Sequence, residues 1–171
     1  MIHLVLGGAR SGKSDHAEQL VSAQSGPLRY LATGWVPEHD DDMAARIQRH
    51  RMRRGPRFET VEVGAGLVAA VRDAGTDAVL IDSLGTWVAA HHDFAVDLPG
   101  LLEALDERRA ATVVVSEEAG MGVHPETVLG RRFRDVLGEV NQAVAARAEA
   151  VTLVVAGLPL ELKSVGRGGL R

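Results

Sequence analysis

The segment Gly7-Gly8-Ala9-Arg10-Ser11-Gly12-Lys13-Ser14 matches G-x-x-x-x-G-K-[ST] at every fixed position, and it constrains the fold more than any other stretch. It directly follows the apolar run Ile2–Leu6 and opens a helix-like stretch, Lys13–Ala23. Strand, glycine-rich turn and helix in that order aim successive backbone N–H groups at one point. The helix N-terminus adds roughly half a positive charge at the same place. In such a cradle Lys13 reaches the β- and γ-phosphates of a nucleotide, and the Ser14 hydroxyl ligates Mg²⁺. Gly7, Gly8, Ala9, Arg10, Ser11, Gly12, Lys13 and Ser14 are therefore candidate phosphate-binding residues.

The rest of the chain supports an α/β fold. Apolar runs recur at Ile2–Leu6, Leu28–Ala32, Phe58–Val63, Ala78–Ile81, Thr112–Val115 and Val151–Ala156. Most are continuously apolar rather than alternating, which marks strands covered on both faces, as in a parallel sheet. Helix-like stretches lie between them at Lys13–Ala23, Asp41–Arg53, Gly66–Ala74, Leu98–Arg109 and Thr127–Ala148. On the last, Val128, Phe133, Val136, Leu137, Val140 and Val144 recur at helical spacing and are expected in the core. The tail Ser164–Arg171 is expected to fray.

Composition narrows the classes. The 171 residues fit one domain spanning the chain, with 46% hydrophobic and 25% charged residues. There is no cysteine, so thiol catalysis, Cys-ligated zinc and disulfides are excluded, and the expected compartment is the cytoplasm. No apolar run is long enough to span a membrane, and the N-terminus is too short and uncharged for a signal peptide. The net charge of −4 and the 4% aromatic content argue against a nucleic-acid partner.

A phosphate cradle needs an acid to hold its metal. Ala78-Val79-Leu80-Ile81-Asp82 is an apolar strand ending in a carboxylate, so Asp82 is a candidate for Mg²⁺, with a helix cap as its alternative role. Glu117 and Glu118, after the strand that begins at Thr112, are rival acids. Ligands of open α/β sheets bind at the carboxyl ends of the strands, where these groups should converge. The cradle alone leaves the reaction open among switch GTPase, small-molecule kinase, motor and nucleotidyl transferase. No N-K-x-D guanine signature occurs, which weakens the switch.

One further segment is unusual. Arg46, Arg49, Arg51, Arg53, Arg54 and Arg57 surround His50 with no acid among them. Guanidinium groups so crowded repel one another unless anions sit between them, and arginine grips phosphate oxygens bidentately. A neutral imidazole among them could attack an α-phosphate and expel pyrophosphate. A solvated basic helix end, matched to the helix dipole, is the other account of the same residues.

Taken together, these pieces resemble the bifunctional adenosylcobinamide kinase/adenosylcobinamide-phosphate guanylyltransferase family of cobalamin biosynthesis. The matching text is G-G-A-R-S-G-K-S at Gly7–Ser14, Y-x-A-T at Tyr30–Thr33 and D-x-M-A-A-R-I-Q-x-H ending at His50. It continues with G-M-G-V-x-P at Gly120–Pro125, R-x-F-R-D at Arg131–Asp135 and text resembling V-G-E-V-N-Q at Leu137–Gln142. The resemblance runs from Met1 to about Lys163.

The resemblance implies a RecA-like, three-layer P-loop fold with helices on both faces of a mostly parallel sheet. It implies phosphorylation of adenosylcobinamide by ATP or GTP, then transfer of GMP from GTP to adenosylcobinamide phosphate through a guanylyl-histidine at His50. It places Ala32, Thr33, Gly34, Arg51, Met52, Arg53, Arg54, Glu62 and Asp82 in contact with the nucleotide, beside the P-loop, and implies a homotrimer. The chain departs from the family's pattern at three positions: Glu117 stands where Asn is usual, Asp82 where Glu is commoner, and Thr152 where an aromatic is frequent.

Overall fold

The structure, a computed structural model, describes residues 1–34 and 57–164. The expected helix at Asp41–Arg53 and nearly all of the tail lie outside the described residues. In chain order the elements are β1 (Ile2–Gly7), α1 (Lys13–Ser22), β2 (Leu28–Ala32), β3 (Phe58–Glu62), α2 (Leu67–Asp73) and β4 (Ala78–Asp82). They continue with α3 (Leu84–Ala89), α4 (Leu98–Glu107), β5 (Thr112–Glu117), α5 (Val128–Arg147), β6 (Ala150–Val155) and β7 (Leu158–Lys163).

The seven strands form one sheet in the order β3-β2-β4-β5-β1-β6-β7. All neighbours are parallel except β6 and β7. Strand β1, which leads into the phosphate cradle, lies between β5 and β6, and β5 separates it from the Asp82 strand β4.

Alternation along each strand divides the core into two layers. Val5, Tyr30, Leu80, Val113 and Val115 face Ala17 and Val21 of α1. Leu4, Leu6, Leu31, Ile81 and Val114 face the helices α2 to α5 through Val71, Trp87, Leu105 and Leu137. Helices therefore cover both faces, as the continuous apolar strands predict. The three-layer, mostly parallel α/β fold is the observed one.

The helix ends follow from local chemistry. Asp97 caps α4 by accepting from Gly100 N–H, and Thr127 caps α5 by accepting from Gly130 N–H. At the other end of α5, Lys163 on β7 donates to the carbonyls of Ala145 and Ala146. Arg108 is buried just beyond α4. Its guanidinium donates to the carbonyls of Val71, Gly75 and Asp77 and to Thr112 Oγ1, binding α2 to β4 and β5.

Three local expectations change. Strand β7 was not expected, because Leu158-Pro159-Leu160-Glu161-Leu162-Lys163 carries a proline; at a sheet edge proline deletes no needed ladder bond. Helix α3 was not expected either, since six residues are too few to show a period. Val128 is 74% exposed at the first turn of α5, while Leu137, Val140 and Val144 are buried as expected.

Candidate functional site

The strand order brings the singled-out residues to the carboxyl edge of the sheet. Gly7 at the end of β1 is in register with Glu117 at the end of β5. Two positions back, Asp82 of β4 is in register with Val115. Asp82 also lies level with Ala32 on β2, which in turn lies level with Glu62 on β3. Glu62, Ala32 and Asp82 thus form one row across three strands. Glu62 stands four strands from Gly7, about 19 Å away at the usual strand spacing.

The P-loop connects β1 to α1. Gly12 is its last residue, at φ 92°, the left-handed region that glycine enters freely. Inside the loop, Ser11 N–H donates to Gly8 O, and Lys13 N–H donates to Ser11 Oγ. The loop is fixed from outside by the β6–β7 turn, where Gly157 N–H donates to Ser11 O at 2.7 Å. Gly8, Ala9 and Arg10 are exposed, whereas Ser11, Lys13 and Ser14 are buried. Lys13 curls back over the loop, with Nζ 3.3 Å from Gly8 O and 3.6 Å from Glu117 Oε1.

Glu117 has further partners. Its carboxylate accepts from Ser83 Oγ at 2.9 and 3.0 Å and from Gly85 N–H at 3.1 Å. Its backbone is held as well, because Asn141 Nδ2 donates to Glu117 O and Glu118 N–H donates to Gly7 O. Glu118 turns away from this group and accepts from Gly120 N–H. Of the two rival acids, Glu117 is the one beside the cradle.

Asp82 is not a helix cap. The residue after it, Ser83, caps α3 by accepting from Thr86 N–H, and Asp82 Oδ2 accepts from Tyr30 OH at 2.7 Å. Leu80 faces α1, so Asp82, two residues on, points to the same side of the sheet as Ser14. Thr33 is fully buried. Its hydroxyl donates to Ser83 O, accepts from Ser83 N–H, and lies 2.6 Å from Thr86 Oγ1. A chain of polar contacts therefore runs from Thr33 through Ser83 to Glu117 and Lys13.

The structure brings together Gly7–Ser14, Asp82 and the Ala32–Gly34 strand end, with Glu62 on the same edge but farther out. His50, Arg51, Met52, Arg53 and Arg54 lie outside the described residues. Ser83 and Thr86 are not singled out by any sequence pattern used above, and Tyr30 enters there only as part of the Y-x-A-T match. The signal for Ser83 was present, since a serine just after a strand and three residues before a threonine is a helix-start pattern.

His91 and His124 have local partners. His91 Nδ1 lies 2.9 Å from Trp87 O, and its ring meets the Trp87 ring edge-on. His124 Nδ1 lies 2.9 Å from Arg134 Nη1 at the surface. Among the described residues no group of three or more His, Asp or Glu side chains could hold a metal. The oxygen donors assigned to a metal from the sequence are the Ser14 hydroxyl and the Asp82 carboxylate. That set suits Mg²⁺, a hard ion that takes few protein ligands and completes its shell with phosphate oxygens and water. No described helix is long and apolar enough to cross a membrane.

Comparison with known proteins agrees with this geometry. In its overall fold the chain is similar to an ATPase from the type III secretion system of pathogenic bacteria, with a TM-score of 0.57 at 11% identity. That likeness covers 94% of this chain and 56% of the ATPase, so the chain spans just over half of its length. In sequence it is 38% identical to the bifunctional adenosylcobalamin biosynthesis protein CobU of Salmonella typhimurium, over 95% of this chain and 100% of the relative. It is 41% identical to the bifunctional adenosylcobalamin biosynthesis protein CobP of Pseudomonas aeruginosa, over 95% of this chain and 98% of the relative. A cradle built on β1, an acid at the end of β4 and similarity along nearly the whole chain point the same way. Residues 3–162 match the model of the cobinamide kinase/cobinamide phosphate guanyltransferase family, and the chain belongs to that family.

Proposed function

We propose that the chain is a bifunctional enzyme of cobalamin biosynthesis, phosphorylating adenosylcobinamide and then guanylylating the product. The observation that carries this reading is end-to-end similarity to two bifunctional relatives, in a chain whose P-loop has its lysine buried beside the sheet edge.

In the first reaction the aminopropanol hydroxyl of adenosylcobinamide attacks the γ-phosphorus of ATP or GTP, and the nucleoside diphosphate leaves. Phosphoryl transfer needs little covalent help from the protein; it needs alignment and charge neutralisation. The N–H groups of Gly8–Ser14 and the Lys13 ammonium provide both. Ser14 and Asp82 would hold Mg²⁺, which would supply positive charge against the phosphates.

In the second reaction a ring nitrogen of His50 attacks the α-phosphorus of GTP. A P–N bond forms and pyrophosphate leaves. An oxygen of adenosylcobinamide phosphate then attacks the same phosphorus, the P–N bond breaks, and adenosylcobinamide-GDP forms. Arg51, Arg53 and Arg54 supply positive charge for the phosphate oxygens, and the stretch including Met52 stays close to the nucleotide. Ala32, Thr33, Gly34 and Glu62 complete the nucleotide contacts at the sheet edge. A covalent relay suits a bulky acceptor, because pyrophosphate can depart before the corrinoid phosphate enters.

The assembly is a homotrimer in this reading. The edge strand β7 supports it: Leu158, Leu160 and Leu162 are 72%, 57% and 55% exposed. An apolar edge of this kind calls for a cover.

The test is to supply adenosylcobinamide, Mg²⁺ and GTP and to follow corrinoid products by chromatography. The phosphate ester should appear first, then the GDP ester with one pyrophosphate released per GMP transferred. A phosphate ester that accumulates without further change would reduce the chain to a small-molecule kinase.

A further inference from the structure

We infer that Glu117 makes triphosphate binding in this chain conditional on the divalent ion, by occupying Lys13 until a metal-neutralised phosphate chain replaces it. The inference rests on the reading of the P-loop as the nucleotide site. It goes further in naming which form of the nucleotide the site admits.

The geometry behind it is local. Glu117 Oε1 stands 3.6 Å from Lys13 Nζ, and the Lys13 side chain is 5% exposed against 32% for Glu117. The carboxylate is not a loose surface group. Ser83 Oγ and Gly85 N–H donate to it, and Asn141 and Gly7 hold the peptide group that follows it. It is therefore held where the lysine points. A triphosphate that takes the cradle must take Lys13 from this carboxylate and then lie within a few ångströms of a fixed negative charge.

For a metal-free triphosphate both effects oppose binding, since like charges a few ångströms apart repel even where water reaches one of them. For the metal-bound form the added cation offsets the repulsion. Glu117 ends β5, the strand next to the Asp82 strand β4, two register positions beyond the level of Asp82. A neutral amide in place of Glu117 keeps an oxygen to accept from Ser83 and Gly85 but carries no charge. An asparagine there would carry no charge and would leave Lys13 uncontested.

The experiment measures GTP affinity of the full chain by calorimetry, once with excess Mg²⁺ and once with EDTA. Glu117→Gln should bind metal-free GTP at least about tenfold more tightly than wild type, with Mg²⁺–GTP affinity changed by less than about threefold. Glu117→Asn, the shorter amide, should move the same way and serves if the first variant does not fold. Equal shifts in both conditions, or no shift in either, would overturn the inference while leaving the nucleotide site intact. A wild-type chain that binds neither form would overturn the P-loop reading and this inference with it.

Discussion

A Cβ added to Gly85 would stand 2.0 Å from Glu117 Oε2. The start of α3 lies so close to the end of β5 that only a residue without a side chain lets the carboxylate reach the Gly85 N–H. Glu117 is long and its end can swing aside, so Gly85→Ala should fold. Alanine favours the helix by about 1 kcal/mol while the lost hydrogen bond costs about as much, so Tm should move by less than about 5 °C. What should change is nucleotide binding. The displaced carboxylate no longer occupies Lys13, and metal-free GTP should bind more tightly, as in Glu117→Gln. Calorimetry in EDTA checks this, and an unchanged affinity would separate Gly85 from the site.

Lys13→Ala should weaken nucleotide binding and both reactions by about 100-fold or more, because one charge-assisted contact to the β/γ-phosphates serves both nucleotides. Parallel assays of corrinoid phosphorylation and pyrophosphate release measure the two losses. Full kinase rate in this variant would show that the two reactions do not share the cradle.

Tyr30→Phe removes the hydroxyl that donates to Asp82 Oδ2. A hydrogen bond to a carboxylate in a half-buried setting is worth about 1.5–3 kcal/mol. Urea unfolding at neutral pH should show a loss toward the lower end of that range, since water can reach the carboxylate. Unchanged stability would mean that Asp82 needs no such partner.

His3 predicts a pH effect of definite sign. Burial above all, then nearby His16, lowers its pKa below the ordinary 6.5, and Glu161 opposes them. Its ring also lies 2.8 Å from Thr152 Oγ1. The folded chain therefore takes up this proton less readily than the unfolded one. As pH falls through about 6.5 the unfolded state is protonated first, and stability drops until the folded-state pKa is passed. His3→Gln should show a shallower fall of Tm between about pH 7.5 and 5.5 than wild type. Identical slopes would contradict this.

Much of the fold was legible because continuous apolar runs such as Ala78–Ile81 leave few alternatives to a strand buried on both faces. The cradle was legible because its glycines, lysine and serine are fixed by the geometry of one turn. Strand β7 was not, because Pro159 stands within the alternation of Leu158, Leu160 and Leu162 and argues against a strand except at a sheet edge. The clasp of Glu117 on Ser83, Gly85 and Lys13 was not legible either. It joins residues 32, 34 and 104 positions apart, and only the strand order β4-β5-β1 makes them neighbours. Glu117 was visible as an acid at the correct edge, but its partners were not.

The measurement that bears most directly on the account is intact and peptide mass spectrometry after incubation with GTP and Mg²⁺ in the absence of corrinoid. The wild-type chain should gain one GMP, acid-labile and located on His50, and His50→Ala should gain none while keeping much of its kinase activity. A wild-type chain without the adduct, or equal adducts on both proteins, would contradict the guanylyl-histidine mechanism.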